Sequence, residues 1–547
     1  MTKSNSFLNN YFFYFLFFIF FVVGVTIFKD YGISVDEEFH RFSGFYWLNY
    51  TLNFTPFESL KDSVQIRFEN INGFTLPDPK NHPFYGVVFD LPLALLETIL
   101  NIQNEKNYFL LRHFFNFLIF FIGFLYFYKI LDNRFKNKII VFIGTLFYIS
   151  SPRIFGDIFF NNKDIIFLSL VTIAIYYKFK IIDNFEYKNI FYFSIFSALA
   201  CACRIVGIFI PISFIFFIFF STINKNSYIN ELKKVSFYIF VFFVILLLFW
   251  PYLWESPIRN FIYALKVFSK YTITEIYTLF NGKYVLTSYL PLNYLPLWIS
   301  ITTPLITLTI FLIGFFCLMK RFFLRTINIK EKMIYNDFWR GNNEKKDFYI
   351  FFNFTLIAIY LFFFNPVLYT GWRQVYFFHF FLIYIACFGL HFLFLKIRKK
   401  LLLLSIILFF TFLNFIQIIK LHPYQSLYFN ALIQGESKTK FEVDYWGISG
   451  VNFLKKILSR ETNSSVIKIA VASFLPLERS LKMLDKKDSK KINIIGQNYQ
   501  NAEYIFNNNM SEVNKFFNKK YNIPKNFEKV YEFNLNGFMV YEMYKKK

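Results

Sequence analysis

Cysteine is close to absent: four residues in 547, Cys201, Cys203, Cys317 and Cys387, all in or beside apolar stretches. None stands at ligand spacing from a histidine, so neither a disulfide framework nor a cysteine-built metal site is encoded. They read as small packing residues. Glycine is sparse too, 19 residues in all, with no Walker loop and no dinucleotide fingerprint, so a nucleotide-driven pump is unsupported. No internal repeat is evident, against a repeat-built transporter. Acidic residues are outnumbered, 35 to 59, for a formal charge of +24. Nucleic-acid binding would gather those cations on a soluble face. Here they recur between apolar runs, the pattern that orients a membrane protein, and no nucleic-acid partner is expected.

What the chain has in abundance is apolar length. Hydrophobic residues make up 56% of it, and runs such as 7–28, 237–254, 349–364 and 401–420 approach or exceed the roughly 20 residues that cross a bilayer. The first run lacks a small-residue cleavage site and reads as a retained helix. Aromatic residues, 24% of the chain, belong to a general bias toward Phe, Ile, Asn and Lys and mark no site by themselves.

Basic loops at 129–138, 320–346 and 396–400 belong in the cytoplasm by the positive-inside rule. That makes 84–100, with Asp90, Pro92 and Glu97, an interfacial helix, and splits 190–221 into two passes near Arg204 and Gly207. About eleven spans follow by length, with the amino terminus inside and the carboxyl terminus outside. Segments 29–109, 151–163, 255–290, 365–376 and everything after 421 then share the outer side. The expected architecture is mainly α: a polytopic membrane domain over 1–420, with outer loops 29–109 and 255–290, and a small outer α/β domain over 421–547. In the latter, 466–471 and 492–495 read as strands and 530–544 as a hairpin about Asn536-Gly537. Helical periodicity fits 451–460 and 475–484.

The stretch Asp36-Glu37-Glu38 lies just past the first apolar run. Carboxylates so near a bilayer are costly unless they face water or a partner, which makes them functional candidates; as helix-start residues they would be ordinary. Asn161-Asn162-Lys163-Asp164 puts both charge signs at another helix mouth. Arg204 falls in an apolar context and must snorkel, pair or line a polar cavity; its guanidinium suits phosphate oxygens. Arg373 repeats the situation at a further outer helix mouth, and with Lys163 the two arginines would make a phosphate clamp. His82 precedes the interfacial helix, where a structural role is the ordinary one. His422, Asp444 and Trp446 flank the entry to the outer domain, where aromatic and acidic groups suit sugar rings or, for the aromatics, an interfacial belt.

Taken together these residues resemble the GT-C membrane glycosyltransferases, in particular the protein O-mannosyltransferase and aminoarabinose transferase superfamily (glycosyltransferase family 39-like). The resemblance rests on Asp36-Glu37, His82-Pro83, Phe155-Gly156-Asp157 through Asp164, Arg204-Ile205-Val206-Gly207, Trp250-Pro251-Tyr252-Leu253-Trp254, Thr302-Thr303-Pro304, His422-Pro423-Tyr424-Gln425 and Asp444-Tyr445-Trp446-Gly447. It extends to about Gly450. Asp157 and Gln374 stand where this bacterial branch carries histidine, so no metal or proton-transfer role passes to them.

The resemblance implies sugar transfer from a polyprenyl-phosphate donor to a lipid, glycan or protein acceptor on the outer face of a bacterial-type inner membrane. Asp36 would act as general base, and Lys163, Arg204 and Arg373 would hold the lipid phosphate. One base and direct displacement imply inversion at the anomeric carbon. Glu37 would orient the acceptor or hold a divalent ion; oxygen ligands suit magnesium or manganese, and the sequence establishes no metal. His82, Asp157, Asp164 and Tyr294 are further substrate-binding candidates, with His422, Asp444 and Trp446. A lipid-linked glycan transporter and a non-catalytic scaffold of glycan assembly are the alternatives, and neither needs a base at Asp36.

Overall fold

The computed structural model describes residues 2–71, 85–222, 228–269, 275–327, 338–433, 440–461 and 466–547. In hydrocarbon every backbone polar group must be satisfied within the chain, which selects helices. The protein is accordingly mainly helical, with its strands confined to a short hairpin at Tyr277–Phe280 and Lys283–Leu286 and to the region after Ile467 among the described residues. His82 lies outside the described residues.

Seven helices among the described residues are long and apolar enough to cross a membrane: Tyr11–Asp30, Glu105–Phe135, Asp164–Asp183, Leu305–Thr326, Gly341–Phe364, Phe378–Lys396 and Lys400–Lys420. The other apolar helices fall outside that count for different reasons, some being short and one, Tyr228–Leu248, being continuous over 21 residues but charged at its start. Lys138–Ile149 has 12 residues, about 18 Å at 1.5 Å per residue, and stops where Ser151 leads into Pro152. The run around Arg204 is broken as expected: one helix ends at Cys203, Arg204 is extended, and a second helix, Phe209–Thr222, follows a short turn. Gly207 permits this reversal, since a Cβ there would sit 2.8 Å from the backbone at Ala200 and Cys201. Tyr228–Leu248 carries Glu231, Lys233 and Lys234 in its first turns. The stretch expected to be interfacial forms the short helix Asp90–Ile99.

Two central helices, Leu305–Ile327 and Phe378–Lys396, cross through glycines. A Cβ on Gly314 would lie 2.0 Å from the Ile385 carbonyl oxygen, and one on Gly389 2.4 Å from that of Ile310. Small residues of this kind let membrane helices approach backbone to backbone.

The carboxyl-terminal part forms a five-stranded mixed sheet in the order Ile492–Ile494, Ile467–Val471, Tyr504–Asn507, Phe538–Lys546, Phe527–Leu535. The first three strands are parallel and the last two join antiparallel. Their hairpin turns at Asn536 and Gly537, both with positive φ (50° and 83°), the conformation that Asn-Gly supplies in two-residue turns. Helix Gly450–Arg460 packs Phe453, Leu454 and Ile457 inward. The segment expected to be helical at 475–484 forms only the short helix Glu478–Leu481. Sheet and bundle are not separate bodies: Phe280 bridges Phe441, the Tyr277 amide donates to the Glu512 carbonyl, and one apolar core runs from Phe13 to Met543.

Candidate active site

The first crossing helix ends at Ile27, a single turn follows to Asp30, and an extended segment delivers Asp36 to the start of helix Glu37–Leu52. The Asp36 carboxylate makes no capping hydrogen bond. It accepts from Arg373 Nη1 at 2.6 Å instead, and its side chain is 37% exposed. Arg373 opens a turn reached through Thr370 and Gly371, both at positive φ. Its guanidinium lies 4.5 Å from the Trp446 ring and 4.9 Å from that of Tyr369. Desolvation alone would raise the Asp36 carboxyl, but Arg373, helped by His40 and Arg479, outweighs it and holds the group below the usual carboxylate range.

A second ion pair continues from the first. Asp164, first residue of a crossing helix, pairs with Arg204, and Arg373 also feels the Asp164 charge. Charges therefore alternate from Asp36 through Arg373 and Asp164 to Arg204. Lys163 precedes Asp164 and lies 4.0 Å from the Tyr85 ring; burial lowers the affinity of its amine for the proton, partly offset by Asp90 and Asp164. Asn161 ties two acids together, donating to Asp157 Oδ2 (3.3 Å) and Asp164 Oδ2 (3.1 Å). Asp157 also accepts from Trp446 Nε1 at 3.2 Å. Its burial pushes the carboxyl up to about 7 in spite of nearby Arg153.

At Arg204 the polar ladder meets a cavity of about 400 Å³. Arg204, Tyr85, Tyr369 and Gln374 contribute polar groups to its lining, and Phe209, Ile212, Leu265, Leu356 and Leu361 belong to its apolar walls. Exposed Ile212 and exposed Phe362, Phe363 and Phe364 stand on the flanking helices, as expected of a groove beside lipid. A largely apolar slot with a guanidinium in its wall fits an amphiphile with an anionic head.

The remaining candidates lie around this centre in different roles. Glu37 is fully buried and turned from Asp36, with Oε2 accepting from the Ser34 amide (2.6 Å) and Oε1 2.9 Å from His113 Nε2. Trp446 is buried under Arg373. Asp444 accepts from Ser449 and the Ile448 amide and supports that same turn; burial pushes it up to about 6. Tyr294 packs between Phe280 and Trp298. His422 sits farther out, 3.1 Å from Asp30. Among the described residues no three His, Cys, Asp or Glu side chains gather to hold a metal ion. With Asp36 on Arg373 and Glu37 on His113, the acidic pair does not fit a divalent cation.

Several charged groups drew no role from sequence alone. Arg153 is buried, donates to the Tyr428 carbonyl and lies over Phe429 and Trp298. His40 and Asp90 pair at 3.3 Å beside Asp36 and Lys163. Glu97 holds both Arg41 (2.6 Å) and Arg112 (2.9 Å). Arg479, from the carboxyl-terminal sheet region, is buried against the acidic loop. Arg153 adjoins a proline turn whose charge was visible; Arg479 lies in a surface-like helix with nothing local to single it out.

Residues 92–254 match the model of the dolichyl-phosphate-mannose-protein mannosyltransferase family. No curated protein matches the chain. The matched stretch contains the Asp157–Asp164 helix mouth, Arg204 and the start of the groove wall. It indicates a glycosyltransferase, for which the family implies a lipid-linked sugar donor and an acceptor. Over that stretch the chain is similar to the GT-C type of membrane glycosyltransferase, in keeping with its multi-pass helical fold.

Proposed function

We propose that the protein moves a sugar from a polyprenyl-phosphate donor to an acceptor hydroxyl, with inversion at the anomeric carbon. The observation that carries this reading is the apolar groove lined by Arg204, from which alternating charges lead to the partly open carboxylate of Asp36. The lipid tail lies in the groove, and the phosphate meets Arg204, Arg373 and Lys163. Asp36 takes the proton from the acceptor hydroxyl as its oxygen bonds to the anomeric carbon. The bond from that carbon to the phosphate oxygen breaks, and its electron pair leaves on the phosphate. Cations set where charge develops lower the barrier to departure.

Arg373 has two tasks in this scheme. Unloaded, it holds Asp36 ionised but weakly basic. A donor phosphate competes for the same guanidinium, and every hydrogen bond it draws from Asp36 makes the carboxylate a better base. Donor binding therefore switches on acceptor deprotonation. Glu37 acts behind Asp36 by fixing the loop through Ser34. A transporter would use the groove and arginines but leaves Asp36 idle.

The basic cytoplasmic loops support an orientation with this centre on the outer, periplasmic side of an inner membrane, and a division into a catalytic membrane domain over 1–420 and an outer domain over 421–547. Mass spectrometry of lipid-linked sugars in a deletion strain tests the reading. Accumulation of one polyprenyl-phosphate sugar and loss of that sugar from a surface product is expected; an unchanged lipid-linked pool and unchanged surface glycans would refute it.

A further inference from the structure

The acidic loop is roofed by the carboxyl-terminal region. The Val35 amide donates to the Trp446 carbonyl at 3.0 Å, and Lys482 Nζ stands 2.8 Å from Glu38 Oε1. One turn before Lys482 comes Arg479, only 5% exposed. Around it each loop acid already has its own partner: Asp36 has Arg373, Glu37 has His113, and Glu38 has Lys482. Arg479 feels Glu38, Asp36, Glu478 and Glu37 electrostatically. Yet its Nε and Nη1 are buried with no hydrogen-bond acceptor among the described residues. Buried charged donors without acceptors are costly, and Arg479 carries two of them beside the acidic loop without belonging to the donor groove. Arg479 is not part of the groove wall; it approaches Asp36 from the side of the carboxyl-terminal region.

We infer that Arg479 is an oxyanion-binding group of the acceptor subsite: the acceptor carries a carboxylate or phosphate near the hydroxyl that Asp36 deprotonates. This rests on the transfer reading above. The guanidinium can donate to that anion from either of two edges, through Nε or through Nη1. The carboxyl-terminal region thereby selects the acceptor, while the groove and Arg204 select the donor. Anchoring the acceptor through its acid sets its hydroxyl against Asp36, the gain expected of a positioned nucleophile.

The test uses the full-length protein in detergent, first saturated with undecaprenyl phosphate so that the donor arginines are occupied, then titrated with inorganic phosphate while thermal unfolding is followed. Phosphate is expected to raise the Tm of the wild type progressively, as any ligand of the native state does. Arg479→Gln is expected to bind undecaprenyl phosphate normally but to show no phosphate-dependent shift. Arg479→Lys keeps the charge without the planar fork and is expected to need roughly tenfold more phosphate for the same shift. That variant decides the matter if Arg479→Gln does not fold. An unresponsive wild type, or equal responses in wild type and either variant, would overturn the assignment. Failure of undecaprenyl phosphate to bind the wild type would instead count against the donor reading, and phosphate titrated alone would still compare wild type with the Arg479 variants.

Discussion

Replacing Arg204 with Gln separates two consequences of a single ion pair. Asp164 is 2% exposed and the Arg204 side chain 15%. Removing the arginine strands a buried carboxylate, which costs about 3–5 kcal/mol when one partner of such a pair is deleted. The same substitution removes a charge-assisted contact to the donor phosphate, worth about 1.5–3 kcal/mol, or roughly 10- to 150-fold in affinity. Stability and binding then respond differently to a second change. In Arg204→Gln/Asp164→Asn no charge is stranded, so most of the lost Tm returns, whereas undecaprenyl phosphate, read by native mass spectrometry, still binds weakly. Recovery of wild-type lipid affinity in the double variant would refute the reasoning, because Arg204 would then serve Asp164 and not the donor.

Three further outcomes follow from the structure. Gly314→Leu drives a side chain into the Ile385 carbonyl and is expected to lower stability by about 1–3 kcal/mol through overpacking, read as a lower Tm. Asp157 binds its proton more tightly folded than unfolded, its carboxyl moving from 3.8 to about 7. Its contribution is therefore fully present below the unfolded value and is lost as pH rises toward 7, and Asp157→Asn should flatten that part of a Tm-against-pH profile. Glu97→Leu leaves Arg41 and Arg112 without their shared carboxylate, and a loss of about 3–5 kcal/mol is expected, measured by thermal unfolding.

Much of this architecture was legible because the bilayer simplifies the code. Apolar length marks the helices, and loop charge drew 29–109, 151–163, 365–376 and the region after 421 toward one side, where Asp36, Asp164, Arg373 and Trp446 do meet. The break at Arg204 was readable from a charge and a glycine inside one long apolar run. Where single helices stop was less so, since Lys138–Ile149 ends after 12 residues and length rules register only composition. The carboxyl-terminal strands showed by alternation and by Asn536-Gly537, while 475–484 kept its helical pattern but formed one short turn.

Within the site, types of residue were visible and partners were not. Glu37 looked interchangeable with Asp36 along the chain, yet consecutive residues at a helix start point apart, and Glu37 meets His113 while Asp36 meets Arg373. Asp444 and Trp446 suggested sugar contact. Their turn instead buries both, one holding Ser449 and the other carrying Arg373. Arg479 is separated from Asp36 by more than four hundred residues, and only the folded sheet region brings the two together.

The most direct test of the transfer mechanism is single-turnover transfer by Asp36→Asn, using the lipid-linked sugar that accumulates in the deletion strain. Asn retains an acceptor for Arg373 but takes no proton. Transfer slowed by about 10²- to 10⁴-fold, with undecaprenyl phosphate affinity within a few fold of wild type, is the expected result. Transfer at the wild-type rate would contradict the role given to this carboxylate.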